Sequence, residues 1–359
     1  MNRLEVKDLT VTFATADGLV QAVRGVSFTL KAGQTLGVVG ESGSGKSVTM
    51  QTIIGLTRGA QISGQAIFEG QDLLAMSDDS LRQVRGAEIS MIFQDPLSSL
   101  HPYYRVGWQI VEMIRAHQEV SARAAHLRAV ELLRLVGIPQ PERRVDDYPH
   151  QFSGGMRQRA MIAMALANTP KLLIADEPTT ALDVTVQAQI IDLMQSLQRE
   201  LGTTIIMVTH DLGVVADIAD QVLVMYAGKA VEKADRRTLF YRAHHPYTRG
   251  LMGSLPGKAG AHDRLNPIQG QPPSLIRIPT GCPFHPRCPF VMDRCLVEEP
   301  ALVDVGTDDD HSSACWLPAD LTGFDRQVDE QRWSAAEARR SGRARTMSRR
   351  LAPAPERAS

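Results

Sequence analysis

The chain has 359 residues and carries 39 Lys and Arg against 40 Asp and Glu, a formal net charge of −1. That balance gives no bulk attraction for nucleic acid, so none is expected as a partner. A 43% hydrophobic and 22% charged composition supports a sizeable water-soluble core, and no apolar run approaches the ~18 residues that span a bilayer.

The opening residues, Met1-Asn2-Arg3-Leu4-Glu5, lack the apolar stretch of a secretory leader. A cytoplasmic chain is expected, reaching a membrane only through other subunits. Leu4, Val6, Leu9, Val11 and Phe13 fall near strand spacing, and Val26, Phe28 and Leu30 alternate, with the turn pair Asp17-Gly18 between them. With Ala66, Phe68 and Gly70 they predict a small antiparallel sheet. Thr35-Leu36-Gly37-Val38-Val39 is a short buried strand. Gly40-Glu41-Ser42-Gly43-Ser44-Gly45-Lys46-Ser47 follows, and then a helix over Ser47 to Ile54. Ile89 to Phe93 is a second buried strand, ending at Gln94 and Asp95.

From Val106 to Ala167 the pattern is helical. Leu127, Val130, Leu133 and Val136 repeat at i, i+3, with Gly137 and Pro139 as the stop, and a further helix from Ser153 carries Met156, Ala160, Met164 and Ala167 on one face. Strands are then predicted over Leu172 to Ala175, Thr204 to Thr209 and Gln221 to Tyr226, with helices over Val184 to Leu201 and Leu212 to Ala219. This alternation implies an α/β fold in which helices cover a parallel sheet, with an all-helical insert. After His245 prolines and glycines rise and periodicity fades through Pro279. Beyond Asp325 the chain is rich in Arg and Ala. One helix, Glu330 to Arg340, is the most that this tail is expected to hold, and a solvated tail is favoured over one that contacts lipid or RNA.

Three stretches carry chemistry. Gly40–Ser47 fits G-x-x-x-x-G-K-[ST], a loop whose glycines turn backbone N–H groups onto phosphates, with Lys46 reaching the β- and γ-phosphates and the Ser47 hydroxyl available to Mg²⁺. A strand before it and a helix after it argue against a chance match. Leu172-Leu173-Ile174-Ala175-Asp176-Glu177 is an apolar strand that ends in two carboxylates, Asp176 for Mg²⁺ and Glu177 to polarise an attacking water. Phe152-Ser153-Gly154-Gly155-Met156 opens a helix with a capping serine and two exposed glycine N–H groups, a second anion site. Two phosphate sites for one nucleotide suggest halves that face each other across a dimer.

Taken together and in this order, the stretches resemble the ATPase subunit of ATP-binding cassette (ABC) transporters over roughly residues 4 to 250. Gly40–Ser47 is similar to the Walker A motif, Leu172–Glu177 to the Walker B motif, and Phe152–Met156 to the signature Leu-Ser-Gly-Gly-Gln, departing from it at both ends. Gln94 matches the Q-loop glutamine, Ala181-Leu182-Asp183 the D-loop, and His210 the switch histidine. Phe13 stands where the family places an adenine-stacking aromatic, although a strand Phe is more often core. The resemblance implies a P-loop NTPase cassette with an antiparallel β subdomain and a helical subdomain, plus a Cys-rich C-terminal extension. It implies Glu177 as general base, His210 as γ-phosphate contact, and Gln94 as a link between Mg²⁺ and the helical subdomain. ATP would be bound by Phe13, Gly40, Glu41, Ser42, Gly43, Ser44, Gly45, Lys46, Ser47 and, across a dimer, Ser153, Gly154, Gly155 and Asp183. Mg²⁺ would be bound by Ser47, Gln94 and Asp176.

Phe93 to Pro102, Asp176 to Gln187, His245-Pro246-Tyr247-Thr248 and Gly281 to Pro289 narrow the resemblance to the oligopeptide/dipeptide importer branch, which also handles nickel, glutathione and sugars. That branch implies two membrane permeases, a second ATPase (a related one favoured over an identical copy), an extracytoplasmic binding protein, and a place at the cytoplasmic membrane face. Its domain plan would be 1–94 with 168–247 as nucleotide-binding core and β subdomain, 95–167 as helical subdomain, 248–322 as extension and 323–359 as flexible tail. The cysteines Cys282, Cys288, Cys295 and Cys315 are spaced C-x5-C-x6-C-x19-C. Four thiolates suit Zn²⁺ or a [4Fe–4S] cluster. The resemblance to the branch favours the cluster, with zinc second and free buried thiols third. A structural role is expected of it, with His285 and His311 as bystanders.

Overall fold

In the computed structural model, residues 2–95, 99–179, 182–253, 268–305 and 310–318 are described. The tail expected beyond Asp325, its helix over Glu330 to Arg340, and Ala181 of the D-loop match lie outside the described residues.

Strands β1 (Asn2–Thr15) and β2 (Gly18–Lys31) form a long hairpin around Asp17-Gly18. The chain then enters β3 (Thr35–Val39) of a second sheet and returns with β4 (Ala60–Phe68) and β5 (Gln71–Asp72) to complete a four-stranded antiparallel sheet of order β2-β1-β4-β5. In β1 the buried positions step from Leu4 and Val6 to Leu9 and Val11. The missing beat is a bulge. The register shifts between Val6 and Leu9, Asp8 adopts φ 46°, and the Ser27 hydroxyl accepts the Asp8 N–H at 2.8 Å. The extra residue returns Leu9 to the buried face.

The second sheet adds β6 (Ile89–Ile92), β7 (Leu172–Asp176), β8 (Thr204–Thr209), β9 (Gln221–Tyr226), β10 (Lys229–Asp235), β11 (Val303–Asp304) and β12 (Ser312–Ser313). Its order is β11-β12-β10-β9-β3-β8-β7-β6, parallel from β9 to β6 and antiparallel from β9 outward. The parallel strands are buried on both faces, which is why they read as unbroken apolar runs. Leu172, Ile174, Ile206 and Val208 pack with the antiparallel sheet, while Leu173, Ala175, Ile205 and Met207 pack with the helices.

The helices are α1 (Lys46–Ile53), α2 (Asp78–Val84), α3 (Val106–His117), α4 (Ala122–Leu135), α5 (Pro141–Arg144), α6 (Gly154–Ala165), α7 (Val184–Leu201), α8 (Leu212–Ile218), α9 (Arg236–Arg242), α10 (Pro246–Gly253) and α11 (Asp293–Val297). Two expectations are corrected. Leu127 is 57% exposed, and α4 buries Ala125, Ala129, Val130, Leu132 and Leu133 instead. At about 100° per residue, Leu127 and Val136 stand half a turn apart, so a strict i, i+3 row cannot be one face. Helix α6 buries more than the expected stripe. It buries Gln158, Ala160, Met161, Ile162, Ala163 and Ala165, because it packs against α3, α4 and β6. Of the expected stripe, Ala160 and Ala167 are buried and Met156 and Met164 are half-buried against the same core, with Ala167 beyond the helix end.

Strand β10 and helices α9 and α10 escaped the pattern reading, since Lys229, Glu232, Lys233 and Asp235 mask the strand. Glu232 is fully buried. Its carboxylate accepts the N–H of His244 at 2.6 Å and of His245 at 3.0 Å, and meets His311 Nε2 at 2.7 Å. Ser313 of β12 pairs with Glu232 of β10, so the cysteine segment is sewn onto the edge of the central sheet at a buried polar knot. Glu232→Ala, which orphans these donors, is expected to cost about 3 kcal/mol, read as a lower urea midpoint in equilibrium unfolding.

Candidate nucleotide-binding and catalytic site

Strand register assembles the site. Val39 pairs with Thr209, Asp176 with Val208, and Ala175 with Ile92. The carboxyl ends of β3, β7, β8 and β6 therefore leave the sheet together. The residues that follow them (Gly40, Glu177, His210 and Gln94) emerge at one edge, the usual ligand crevice of an open parallel sheet.

The loop between β3 and α1 is packed to its limit at two glycines. A Cβ at Gly40 would meet the Met225 carbonyl oxygen at 2.2 Å, and one at Gly45 the Ala22 carbonyl oxygen at 2.4 Å, with φ at +152° and +98°. Only glycine fits such approaches in the left-handed region. Gly43 has φ +77° and open space around it. Lys46, 5% exposed, donates from Nζ to the carbonyl oxygens of Gly40 at 2.7 Å and Glu41 at 3.0 Å. Burial lowers its pKa, against the pull of Glu177, Asp176 and Glu41.

Ser47 Oγ donates to Asp176 Oδ1 at 2.9 Å, which joins the two residues expected to hold Mg²⁺. Burial raises the Asp176 pKa, the Ser47 hydrogen bond opposes it, and Glu177 adds to it. Glu177 itself sits at φ 48°, in the left-handed region, with its N–H on the Val208 carbonyl at 2.9 Å. Gln94 Nε2 donates to Glu177 Oε2 at 3.0 Å, and His210 Nδ1 stands 3.3 Å from Oε1. The three expected catalytic residues thus form one cluster.

The signature residues lie elsewhere. Ser153 caps α6, its Oγ accepting the Met156 N–H at 3.3 Å. Ser153, Gly154 and Gly155 line an open groove with Leu182, Asp183 and Val186, and no residue of the phosphate loop borders it. Asp183 caps α7 by accepting the N–H groups of Thr185 at 3.1 Å and Val186 at 3.0 Å. Phe13 is half-buried and packs on the core of the antiparallel sheet.

Two contacts to the loop have no counterpart in the sequence reading. Tyr247 Oη accepts the Glu41 N–H at 2.8 Å, and Arg287 grips the Glu41 carboxylate at 2.6 and 2.9 Å. They are separated from Glu41 by more than 200 residues, and no periodicity connects them. The thiols of Cys282, Cys288, Cys295 and Cys315 line one apolar pocket with Phe290, Met292 and Trp316. Burial pushes the Cys282 and Cys315 thiols up to about 11 and raises Cys288. The donor set suits a metal or cluster, but its placement does not reach that expectation. Among the described residues no group of three or more His, Cys, Asp or Glu is arranged to hold a metal ion.

A parallel sheet with a glycine-built phosphate loop, a paired acid at the next strand end and a separate serine-capped signature helix defines a nucleotide-binding cassette that hydrolyses ATP. The family described as "ABC transporter" matches residues 23–180, and "Oligopeptide/dipeptide transporter, C-terminal region" matches residues 231–295. The chain is 53% identical over 318 residues to the oligopeptide transport ATP-binding protein OppD of Bacillus subtilis, covering 88% of both chains. It is 51% identical over 317 residues to the dipeptide transport ATP-binding protein DppD of the same organism, covering 88% of this chain and 94% of that one. The ATP-binding cassette MJ0796, solved as a dimer in a post-hydrolysis state with ADP and Pi, superposes with a TM-score of 0.60 at 28% identity, over 65% of this chain and 99% of that one. The chain belongs to the ATP-binding subunits of ABC transporters, in the oligopeptide/dipeptide group.

The two glycine classes of the loop separate in a binding assay. Gly45→Ala forces Cβ onto a carbonyl oxygen and is expected to weaken MgATP binding more than tenfold. Gly43→Ala meets no atom and is expected to cost only about 1 kcal/mol of backbone strain. Isothermal titration of both variants checks the contrast.

Proposed function

We propose that this chain is the ATP-hydrolysing subunit of a membrane importer that takes up di- or oligopeptides. The observation that carries the reading is the Gln94–Glu177–His210 cluster at the edge where the phosphate loop emerges, on a chain about half identical to peptide-transport ATPases. Another solute of the same branch (nickel, glutathione, a sugar) is the first alternative, and a soluble, non-transport ABC ATPase the second.

In this reading the ATP phosphates occupy the Gly40–Ser47 loop and Lys46 leaves its carbonyl partners for the β- and γ-phosphates; Ser47 and Asp176 with Gln94 would hold Mg²⁺, which would supply charge neutralisation when bound. Glu177 takes the proton of the attacking water. His210, whose side chain is 61% exposed, turns to the γ-phosphate. Phe13 would meet the adenine. Within one chain no phosphate-loop residue borders the Ser153–Gly155 groove, which supports a dimer in which each signature completes the other's site, with Asp183 at the seam.

Permease partners fit this picture. No helix among the described residues is long and apolar enough to cross a membrane. The helical insert exposes an aromatic group, Tyr103, Tyr104 and Trp108, with Tyr104 and Trp108 stacked at 4.3 Å. We assign that surface to a permease pair at the cytoplasmic membrane face, with a second ATPase and an extracytoplasmic binding protein completing the system. The domain plan read from the sequence is retained, and the four cysteines are assigned a [4Fe–4S] cluster, or Zn²⁺, on the support of four thiols lining one pocket.

Glu177→Gln is expected to bind ATP normally while turnover falls about 100-fold or more, and Lys46→Ala to lose nucleotide affinity. Purification of the Glu177→Gln variant with ATP from solubilised native membranes is expected to bring two permeases and a second ATPase. Recovery with ribosomal or DNA-repair proteins instead would refute the transport reading. Iron, sulfide and zinc analysis of anaerobically purified chain is expected to give iron with sulfide, lost in Cys282→Ser. Absence of iron and zinc alike would leave free thiols.

A further inference from the structure

Glu41, the first variable residue of the phosphate loop, is bound on every polar atom by something that matters to the loop. Its N–H donates to Tyr247 Oη at 2.8 Å, and its carbonyl oxygen accepts Lys46 Nζ at 3.0 Å. Its carboxylate takes Nη1 and Nη2 of Arg287 at 2.6 and 2.9 Å. The Arg287 side chain is only 4% exposed. Its Nε donates to the Gln269 carbonyl at 2.9 Å, and its guanidinium carbon lies 5.9 Å from the ring centroids of both Tyr226 and Phe284. Both edges of the guanidinium are therefore used, and a two-point contact of this kind fixes orientation as well as charge.

We propose that Arg287 is a positioning residue for ATP binding: it anchors and neutralises Glu41, so that the loop entry is held and no free carboxylate faces the nucleotide phosphates. The proposal rests on the reading of Gly40–Ser47 as the ATP phosphate site. Two separable effects follow. Loss of either partner releases the loop entry from the cysteine segment. Loss of Arg287 alone also leaves an uncompensated negative charge in the loop, where it repels the polyphosphate. A contact that only stabilises the fold has the first effect and lacks the second.

The test is MgATP binding to the full chain, with thermal melting of each sample. Arg287→Ala is expected to weaken binding about tenfold, Glu41→Ala about threefold, and Arg287→Ala/Glu41→Ala about threefold, so that deleting the carboxylate rescues the arginine variant. Arg287→Lys, which keeps the charge, is expected to stay within about threefold of the unaltered chain. An Arg287→Ala affinity within about twofold of normal, or a double variant weaker than Arg287→Ala, overturns the proposal. Should Arg287→Ala not fold, Glu41→Ala reads the contact from the loop side, and unchanged affinity there overturns it equally. Failure of the unaltered chain to bind MgATP would instead remove the phosphate-site reading on which the proposal rests.

Discussion

The register of five parallel strands is the constraint on which the rest of this molecule depends. Because Val39 is level with Thr209 and Asp176 with Val208, loops that are far apart in sequence leave at one edge. The buried faces make this register stringent. A slip of one residue would move Leu172 and Ile174 from the antiparallel-sheet core to the helical core and exchange them with Leu173 and Ala175, so every strand would repack at once. The chemical residues need no structure of their own. They sit one or two positions past strands whose ends the core has already fixed.

Glu177 shows how local strain serves this arrangement. A residue that continued β7 in extended conformation would point its side chain to the opposite face from Asp176. The left-handed φ of 48° breaks that alternation and leaves Glu177 between Gln94 and His210. A non-glycine residue in this region costs of order 1 kcal/mol or more, which the Glu177 N–H bond to Val208 and the two side-chain contacts offset. In the proposed mechanism the carboxylate is thereby held by groups from β6 and β8, so a shift of either strand end is felt at the base.

Much of this was legible in the sequence, for identifiable reasons. The phosphate loop, Asp176 and Glu177, Ser153 and the buried strands are local patterns, set by glycine geometry, capping chemistry and apolar runs. Legibility failed where a residue's partner lies far along the chain. Glu232 reads as a surface acid in a Lys-rich stretch until His244, His245 and His311 close around it. Leu127 reads as core because three-residue spacing looks helical, while the real helix turns it outward. Arg287 sits between two cysteines and invites attention to the thiols, yet its side chain belongs to Glu41.

The partly buried Arg287–Glu41 ion pair also alters how the C-terminal segment relates to the cassette. Attached by β12 pairing and Glu232 alone, it would be a brace on the sheet edge, remote from chemistry. Arg287 brings it against the entry of the phosphate loop. The residue lies next to Cys288 and within the turn that Cys282 begins, where the Cys282 carbonyl accepts the His285 N–H at 3.0 Å and the Phe284 carbonyl accepts the Arg287 N–H at 2.9 Å. Those bonds leave the arginine little freedom to move independently of the cysteine pocket. The cysteine pocket and the entry of the phosphate loop are thus joined by one short, hydrogen-bonded stretch of chain that ends in the Arg287–Glu41 contact.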